Sequence, residues 1–209
     1  MSKLENLLLE TNEAYYWIGF LMADGSLKPN GRLVLTESAK DKQHLEIFAK
    51  FIDCPMYGDN ASCKGKIYPQ YRVAAMNVKW AKLFRSKFDF NHNKTLNPPK
   101  TVHFNNTSLF LSFLIGYIDG DGSINKQSGR QDCIIRIQVH SGWQKLLQLW
   151  INELVRIAEV PFQIVKINKR GYTFVALANQ KLVLFLKKQA VKLPVLNRKW
   201  DLITGESLQ

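Results

Sequence analysis

One unusual segment occurs twice in this chain, about half its length apart. The first copy reads Trp17-Ile18-Gly19-Phe20-Leu21-Met22-Ala23-Asp24-Gly25-Ser26, the second Leu114-Ile115-Gly116-Tyr117-Ile118-Asp119-Gly120-Asp121-Gly122-Ser123. Both are apolar runs with small residues four apart, Gly19 and Ala23 in one, Gly116 and Gly120 in the other. That spacing puts each pair on one face of a helix. Two such faces let helices approach backbone to backbone, the packing logic of small-xxx-small pairs. The chain is therefore expected to fold as two similar halves joined through these helices. Each run ends in Asp-Gly, where a glycine in the left-handed conformation is expected to stop the helix. Asp24 and Asp121 then sit at helix C-termini, the negative ends of the dipoles, and close together. Like charges so placed are unfavourable unless a cation joins them. Mg²⁺ suits a few carboxylates completed by phosphate oxygens and water. Either aspartate alone reads as an ordinary solvated helix terminator; the symmetric pair reads as a site.

The repeat extends beyond the motif. After Ser26, Asn30-Gly31 is a hairpin signal ahead of strand-like Leu33-Val34-Leu35-Thr36. After Ser123, a polar turn at Gln127-Ser128-Gly129 leads into Ile134-Ile135-Arg136-Ile137-Gln138-Val139. Helical spacing follows in Leu45, Phe48, Ala49, Ile52 and in Leu146, Leu147, Trp150, Ile151, Leu154. Second hairpins turn at Cys63-Lys64-Gly65-Lys66 and Asn168-Lys169-Arg170-Gly171. Asn77 and Asn179 read as N-caps of helices over 78–88 and 180–189. Each half thus reads helix, two strands, helix, two strands, helix. The join is expected around Asn97-Pro98-Pro99-Lys100, giving halves 1–100 and 101–209.

The duplicated segment resembles the signature of the LAGLIDADG homing endonucleases, in the single-chain form with two motifs. Gly19 and Gly116 match the third letter, Asp24 and Asp121 the essential acid at the eighth, Gly25 and Gly122 the last. Trp17 departs from the opening leucine, and Ile18 and Ile115 from the first alanine. Met22 stands for the sixth-position aspartate in the first copy only, which argues that this position is not needed in both halves. The resemblance implies an α+β fold: two pseudo-symmetric αββαββα repeats packed through the motif helices, with two antiparallel sheets forming a DNA-binding saddle. It implies a monomeric endonuclease that hydrolyses both strands of a long asymmetric DNA target across the minor groove, leaving short 3′ overhangs.

Under that resemblance Asp24 and Asp121 hold divalent metal, Mg²⁺ with Mn²⁺ as substitute. A polar residue at the end of each second strand orders water; Glu37 and Gln138 are the candidates, with His140 within the register uncertainty. Glu37 reads equally as part of a first helical turn. Lys94 and Lys199 match the family's basic pocket, with Arg198 as an alternative to Lys199. A cation there fits phosphodiester hydrolysis, in which charge builds on phosphate oxygens.

The charge balance agrees with a polyanionic partner. There are 29 Lys+Arg against 17 Asp+Glu, a net charge of +12, which favours nucleic acid or an anionic membrane surface. No apolar run spans a bilayer; the longest, Leu109 to Ile118, is broken by Ser112 and Gly116. The start of the chain lacks the zones of a secretory signal, and three cysteines without paired spacing indicate neither disulfides nor zinc, so an intracellular protein is expected. Arg136 and Gln138 share one strand face and carry side chains that read guanine and adenine edges. Lys28, Asn30, Arg32, Lys64, Lys66, Tyr68, Arg72, Lys126, Arg130, Lys166, Lys169 and Arg170 add phosphate and base contacts from the hairpins. The four histidines are scattered, and neither a His-Asn-His cluster nor a Gly-Ile-Tyr motif is present. Two other readings fit the same fold: an RNA-binding intron maturase and a DNA-binding regulator that does not cut.

Overall fold

The computed structural model describes residues 2–126 and 132–204. Two helices, α1 (Asn12–Asp24) and α4 (Thr107–Asp121), form its axis. Ala14 to Met22 and Leu109 to Asp119 are buried without interruption. A helix apolar on every side is covered on every side, and here each is covered by the other and by the rest of its own half. No helix among the described residues is long and apolar enough to cross a membrane.

From each axial helix the chain passes directly into a sheet. β1 (Ser26–Leu27), β2 (Arg32–Ser38), β3 (Met56–Cys63) and β4 (Lys66–Met76) form one antiparallel sheet in the order β1-β2-β4-β3. β5 (Gly122–Lys126), β6 (Cys133–His140), β7 (Lys166–Ile167) and β8 (Tyr172–Leu177) repeat it as β5-β6-β8-β7. The inner face of each sheet carries Leu33, Leu35, Val73 and Ala75, or Ile135, Ile137, Val175 and Leu177, all buried. The amphipathic helices α2 (Lys42–Phe51), α3 (Val78–Phe88), α5 (Gln144–Ala158) and α6 (Gln180–Ala190) complete the core. Every apolar residue that the helical spacing selected in α2 and α5 is buried. A short α7 (Asn197–Trp200) follows in the second half. The outer face of each sheet is left open, as shown by exposed Arg136 and Gln138 between buried neighbours on β6.

The local signals act as expected. Asn77 Oδ1 accepts the Trp80 N–H at 3.0 Å, and Asn179 Oδ1 accepts that of Leu182 at 3.2 Å, so α3 and α6 start where capping chemistry requires. Between β3 and β4, Lys64 (φ 49°) and Gly65 (φ 74°) make a two-residue turn with both residues in the left-handed region, whose twist matches the right-handed twist of the flanking strands. The turn expected at Gln127-Ser128-Gly129 lies outside the described residues, as does Arg130.

Two expectations are corrected. Gly25 (φ −71°) and Gly122 (φ −92°) are extended, not left-handed. Their role is steric: a Cβ on Gly25 would lie 2.7 Å from the Leu21 carbonyl oxygen, and one on Gly122 would press on that of Ile118. The chain therefore turns from helix into strand without a spacer. Of the two readings of Glu37 the strand one holds: it lies near the end of β2, not in a helical turn. Matching registers (Leu33 opposite Ala75, Ile135 opposite Leu177) make Thr36 the counterpart of Gln138, Glu37 that of Val139 and Ser38 that of His140. Glu37 and Gln138 are thus one residue out of step, and their side chains leave opposite sheet faces.

Candidate active site

The axial helices meet where the small residues predicted contact. A methyl on Gly19 would fall on the Phe113 carbonyl oxygen, and one on Gly116 on that of Tyr16. Near the C-terminal ends, a Cβ on Gly120 would lie 3.1 Å from Asp24 Oδ2, so the Asp24 carboxylate rests against the last turn of α4. Asp24 and Asp121 thus converge at paired helix ends. Both are open to solvent, yet protein surrounds them closely enough to penalise their charge. Burial first, and the Asp24 charge second, push the Asp121 carboxyl up to about 6. Asp24 is also raised by burial, against the opposing pull of Lys94 and Lys199.

Lys94 and Lys199 are both buried, at 8% and 9% exposure, an unusual state for lysine. The loop after α3 brings in Lys94, whose Nζ donates to the Ala23 carbonyl at 2.8 Å. α7 brings in Lys199, whose Nζ donates to the carbonyls of Ile118 (3.4 Å), Asp119 and Gly122 (2.7 Å). Each lysine therefore satisfies carbonyls at the end of its own half's motif helix and offsets the negative dipole there. Burial lowers both lysines; Asp121 and Asp24 oppose this at Lys94, and chiefly Asp119 at Lys199. The two differ in what they have left. An ammonium has three N–H groups: Lys199 spends its own on carbonyls, whereas Lys94 donates to one and faces a cavity. Arg198 does not replace Lys199, because its Nε and Nη2 clamp the buried Asp41 at 2.5 and 2.7 Å.

That cavity, about 350 Å³, is lined by Met22, Ala23, Lys94, Thr95, Asp121, Gln138, Val139, His140, Trp143 and Tyr172. It joins elements of both halves, since Trp143 Nε1 donates to the carbonyls of Lys94 (3.1 Å) and Thr95 (3.2 Å). Glu37 is not part of that lining; it lies within the field of Asp24, Asp41, Lys199 and Arg198. Burial, then Asp24 and Asp41, push Glu37 to about 8, and its Oε1 is buried without a partner. The structure thus brings Asp121, Lys94 and Gln138 into one pocket and groups Asp24, Lys199 and Glu37 beside it.

Of the surface candidates, Lys28, Asn30, Arg32, Lys64, Lys66, Tyr68, Lys126, Arg136, Gln138, Lys166, Lys169 and Arg170 are exposed. Arg72 is half-buried and paired with Asp59 at 3.2 Å. Asn30 has a structural task, its Oδ1 accepting the Arg32 N–H at 3.2 Å. Arg32, Arg136 and Gln138 stand on open sheet faces, flanked by buried neighbours on the opposite side.

Sequence reasoning missed a buried network beneath the site. Asp119, 1% exposed, accepts from the Tyr16 hydroxyl (2.8 Å), the Leu196 N–H (3.0 Å) and Trp200 Nε1 (2.7 Å). The Tyr16 hydroxyl has one proton and gives it to Asp119, so His44 Nε2, 2.7 Å away, donates to that oxygen. Burial drives His44 down to about 4, which keeps it neutral. The network ties α1 and α2 of the first half to α4 and α7 of the second, and its charge holds Lys199. Asp119→Asn would set an amide N–H₂ against donors and is expected to cost about 3 kcal/mol. Urea unfolding checks this; a cost below 1 kcal/mol would show that the network is dispensable. The lone sixth-position aspartate was the signal, since a carboxylate inside an apolar helix needs partners.

No protein-family model matches the chain, and no curated protein does. Solved structures do match. One is the N-terminal LAGLIDADG domain of DUF199/WhiA, 16% identical, covering 98% of this chain and 91% of that one, with a TM-score of 0.53. Another comes from mesophilic variants of the homing endonuclease I-DmoI, 12% identical, covering 90% of this chain and 97% of that one, at 0.50. Reciprocal glycine contacts between two motif helices, two sheets of matching strand order and this full-length superposition lead to one conclusion: the chain has the LAGLIDADG fold, with both repeats in one polypeptide.

Proposed function

We propose that this chain is a monomeric, site-specific endonuclease that hydrolyses both strands of an asymmetric DNA target with divalent metal. The observation that carries this reading is the pair Asp24 and Asp121, solvent-open and mutually repelling at abutting helix ends, each beside a buried lysine. Ordinary helix terminators have no reason to be held together against their charge. The donor set fits Mg²⁺, with Mn²⁺ as substitute. No group of three or more His, Cys, Asp or Glu side chains suited to a metal occurs among the described residues. Two carboxylates would leave most ligand positions to water and phosphate, the arrangement Mg²⁺ favours. When bound there, a divalent ion supplies Lewis acidity toward a phosphate oxygen and lowers the pKa of a bound water.

The chain's own groups do the rest. Lys94 has N–H groups left for a phosphate oxygen in the cavity, where charge develops during hydrolysis. Gln138 has both a donor and an acceptor with which to orient the attacking water. Lys199 shapes the end of α4 and so positions Asp121. Exposed Arg32, Arg136 and Gln138 on the open sheet faces, with the basic hairpin tips around them, form the saddle for DNA. Unequal halves imply an asymmetric target, since a fused pseudo-dimer need not read a palindrome.

Incubation with a randomised duplex library tests this in Mg²⁺, in Ca²⁺ and with an Asp24→Asn/Asp121→Asn variant. Mg²⁺-dependent cuts at one long motif, absent from the variant, are the expected result and deliver the target. Specific retention of DNA without cutting would mean a regulator. Indifference to DNA with capture of structured RNA would mean a maturase.

A further inference from the structure

The two halves of the site differ at a position that the matched registers make equivalent. On β2 it is Ser38, paired across to Gln70; on β6 it is His140, paired across to Tyr172. Ser38 is exposed, and its hydroxyl donates to Asp41 at 3.3 Å, away from any substrate role. His140 and Tyr172 instead line the cavity with Lys94, Asp121 and Gln138.

The His140 ring is held in one tautomer. Its Nδ1 accepts the Gly142 N–H at 3.3 Å, where the chain leaves β6 for the turn before α5. A ring nitrogen that accepts a backbone N–H carries no proton, so the neutral imidazole keeps its proton on Nε2. The edge left for a ligand is therefore an N–H donor. It does not act as a base. Beside Asp121 and Lys94, the acceptor that such a donor fits is a non-bridging phosphate oxygen, and a donor aimed there gains strength as charge builds in the transition state.

Resting on the endonuclease reading above, we infer that His140 Nε2 donates to the scissile phosphate at Asp121, making His140 a catalytic residue for one strand only. The Asp24 half has no such donor at the matching position. The two strands are then cut by chemically different pockets, and loss of His140 turns the enzyme into a nickase.

The test uses full-length protein and a duplex bearing the selected target, each strand labelled separately, in Mg²⁺. His140→Asn keeps an acceptor near the Nδ1 position but loses the reach of Nε2. It is expected to slow one strand about 100-fold while the other stays within about twofold, so nicked duplex accumulates. His140→Gln, whose amide nitrogen reaches the Nε2 position, is expected to restore most of that rate. DNA binding in Ca²⁺ is expected to weaken by no more than a few-fold in either variant, since one phosphate contact among many is lost. Equal slowing of both strands, unchanged cutting by His140→Asn, or failure of Gln to rescue would overturn the assignment while leaving the endonuclease intact. Wild-type protein that cuts neither strand of any selected sequence would remove the endonuclease reading itself, and this inference with it.

Discussion

Gly116→Ala is expected to yield no cooperatively folded protein. The added methyl would occupy the position of the Tyr16 carbonyl oxygen, and the same substitution at Gly19 that of Phe113. Overpacking of a side-chain core costs typically 1–3 kcal/mol because neighbours shift rotamer. Here the obstacle is backbone in the middle of a helix, buried on every side. Relief requires the two helices to move apart, which opens the contact along its whole length and separates Asp24 from Asp121. A penalty above about 5 kcal/mol consumes most of an ordinary domain's stability. Gly65→Ala is the control. A Cβ added there meets nothing within 4 Å, so its φ of +74° alone should set the loss, about 1–2 kcal/mol. Circular dichroism through a thermal ramp decides the matter. A Gly116→Ala protein melting within a few degrees of wild type would show that the helices do not meet as described.

That contact was legible in the sequence because it depends on one thing, the repetition of small residues at helical spacing. The Asn77 and Asn179 caps and the Lys64-Gly65 turn were legible for the same reason, since each is settled by chemistry within a few residues. What escaped was decided across the two halves. Met22 at the same place in the first copy shows only that this position is not needed in both halves, and nothing near Asp119 shows that its three donors come from α1, from Leu196 and from α7. Nothing near Arg198 in sequence shows that Asp41 binds it, and nothing near Glu37 shows that it turns inward toward the field of Asp24. Strand register has the same character: Glu37 and Gln138 both read as polar residues near the end of a second strand, and only cross-strand pairing reveals the one-residue offset. Gly25 and Gly122 serve space instead of conformation, a constraint set by the carbonyls of Leu21 and Ile118 that glycine's usual role at helix ends does not reveal.

Asp121→Asn is expected to abolish cleavage and, without metal, to make the protein more stable. Losing one of two carboxylates that would hold the ion forfeits several kcal/mol of transition-state stabilisation; about 4 kcal/mol is roughly 1000-fold in rate. The stability gain follows from the Asp121 carboxyl, which titrates at about 6 in the fold against 3.8 ordinarily. Between those values the folded chain keeps a proton that the unfolded chain has lost. Stability therefore falls as pH rises from about 4, and the full penalty is present above about 6. Asparagine removes the charge and the penalty together. Because the carboxylate is exposed and partly screened, a gain near 1 kcal/mol is expected, or ~2–4 °C for a chain of this size. Melting curves in EDTA at pH 7.5 should show that gap, and it should close as pH drops through the titration. Adding Mg²⁺ should raise the wild-type melting temperature toward the variant's, since an ion joining both carboxylates relieves the same repulsion. Were Asp121→Asn less stable than wild type in EDTA at pH 7.5, the carboxylate would be serving the fold, and the case for a charge-strained metal site at these helix ends would fail.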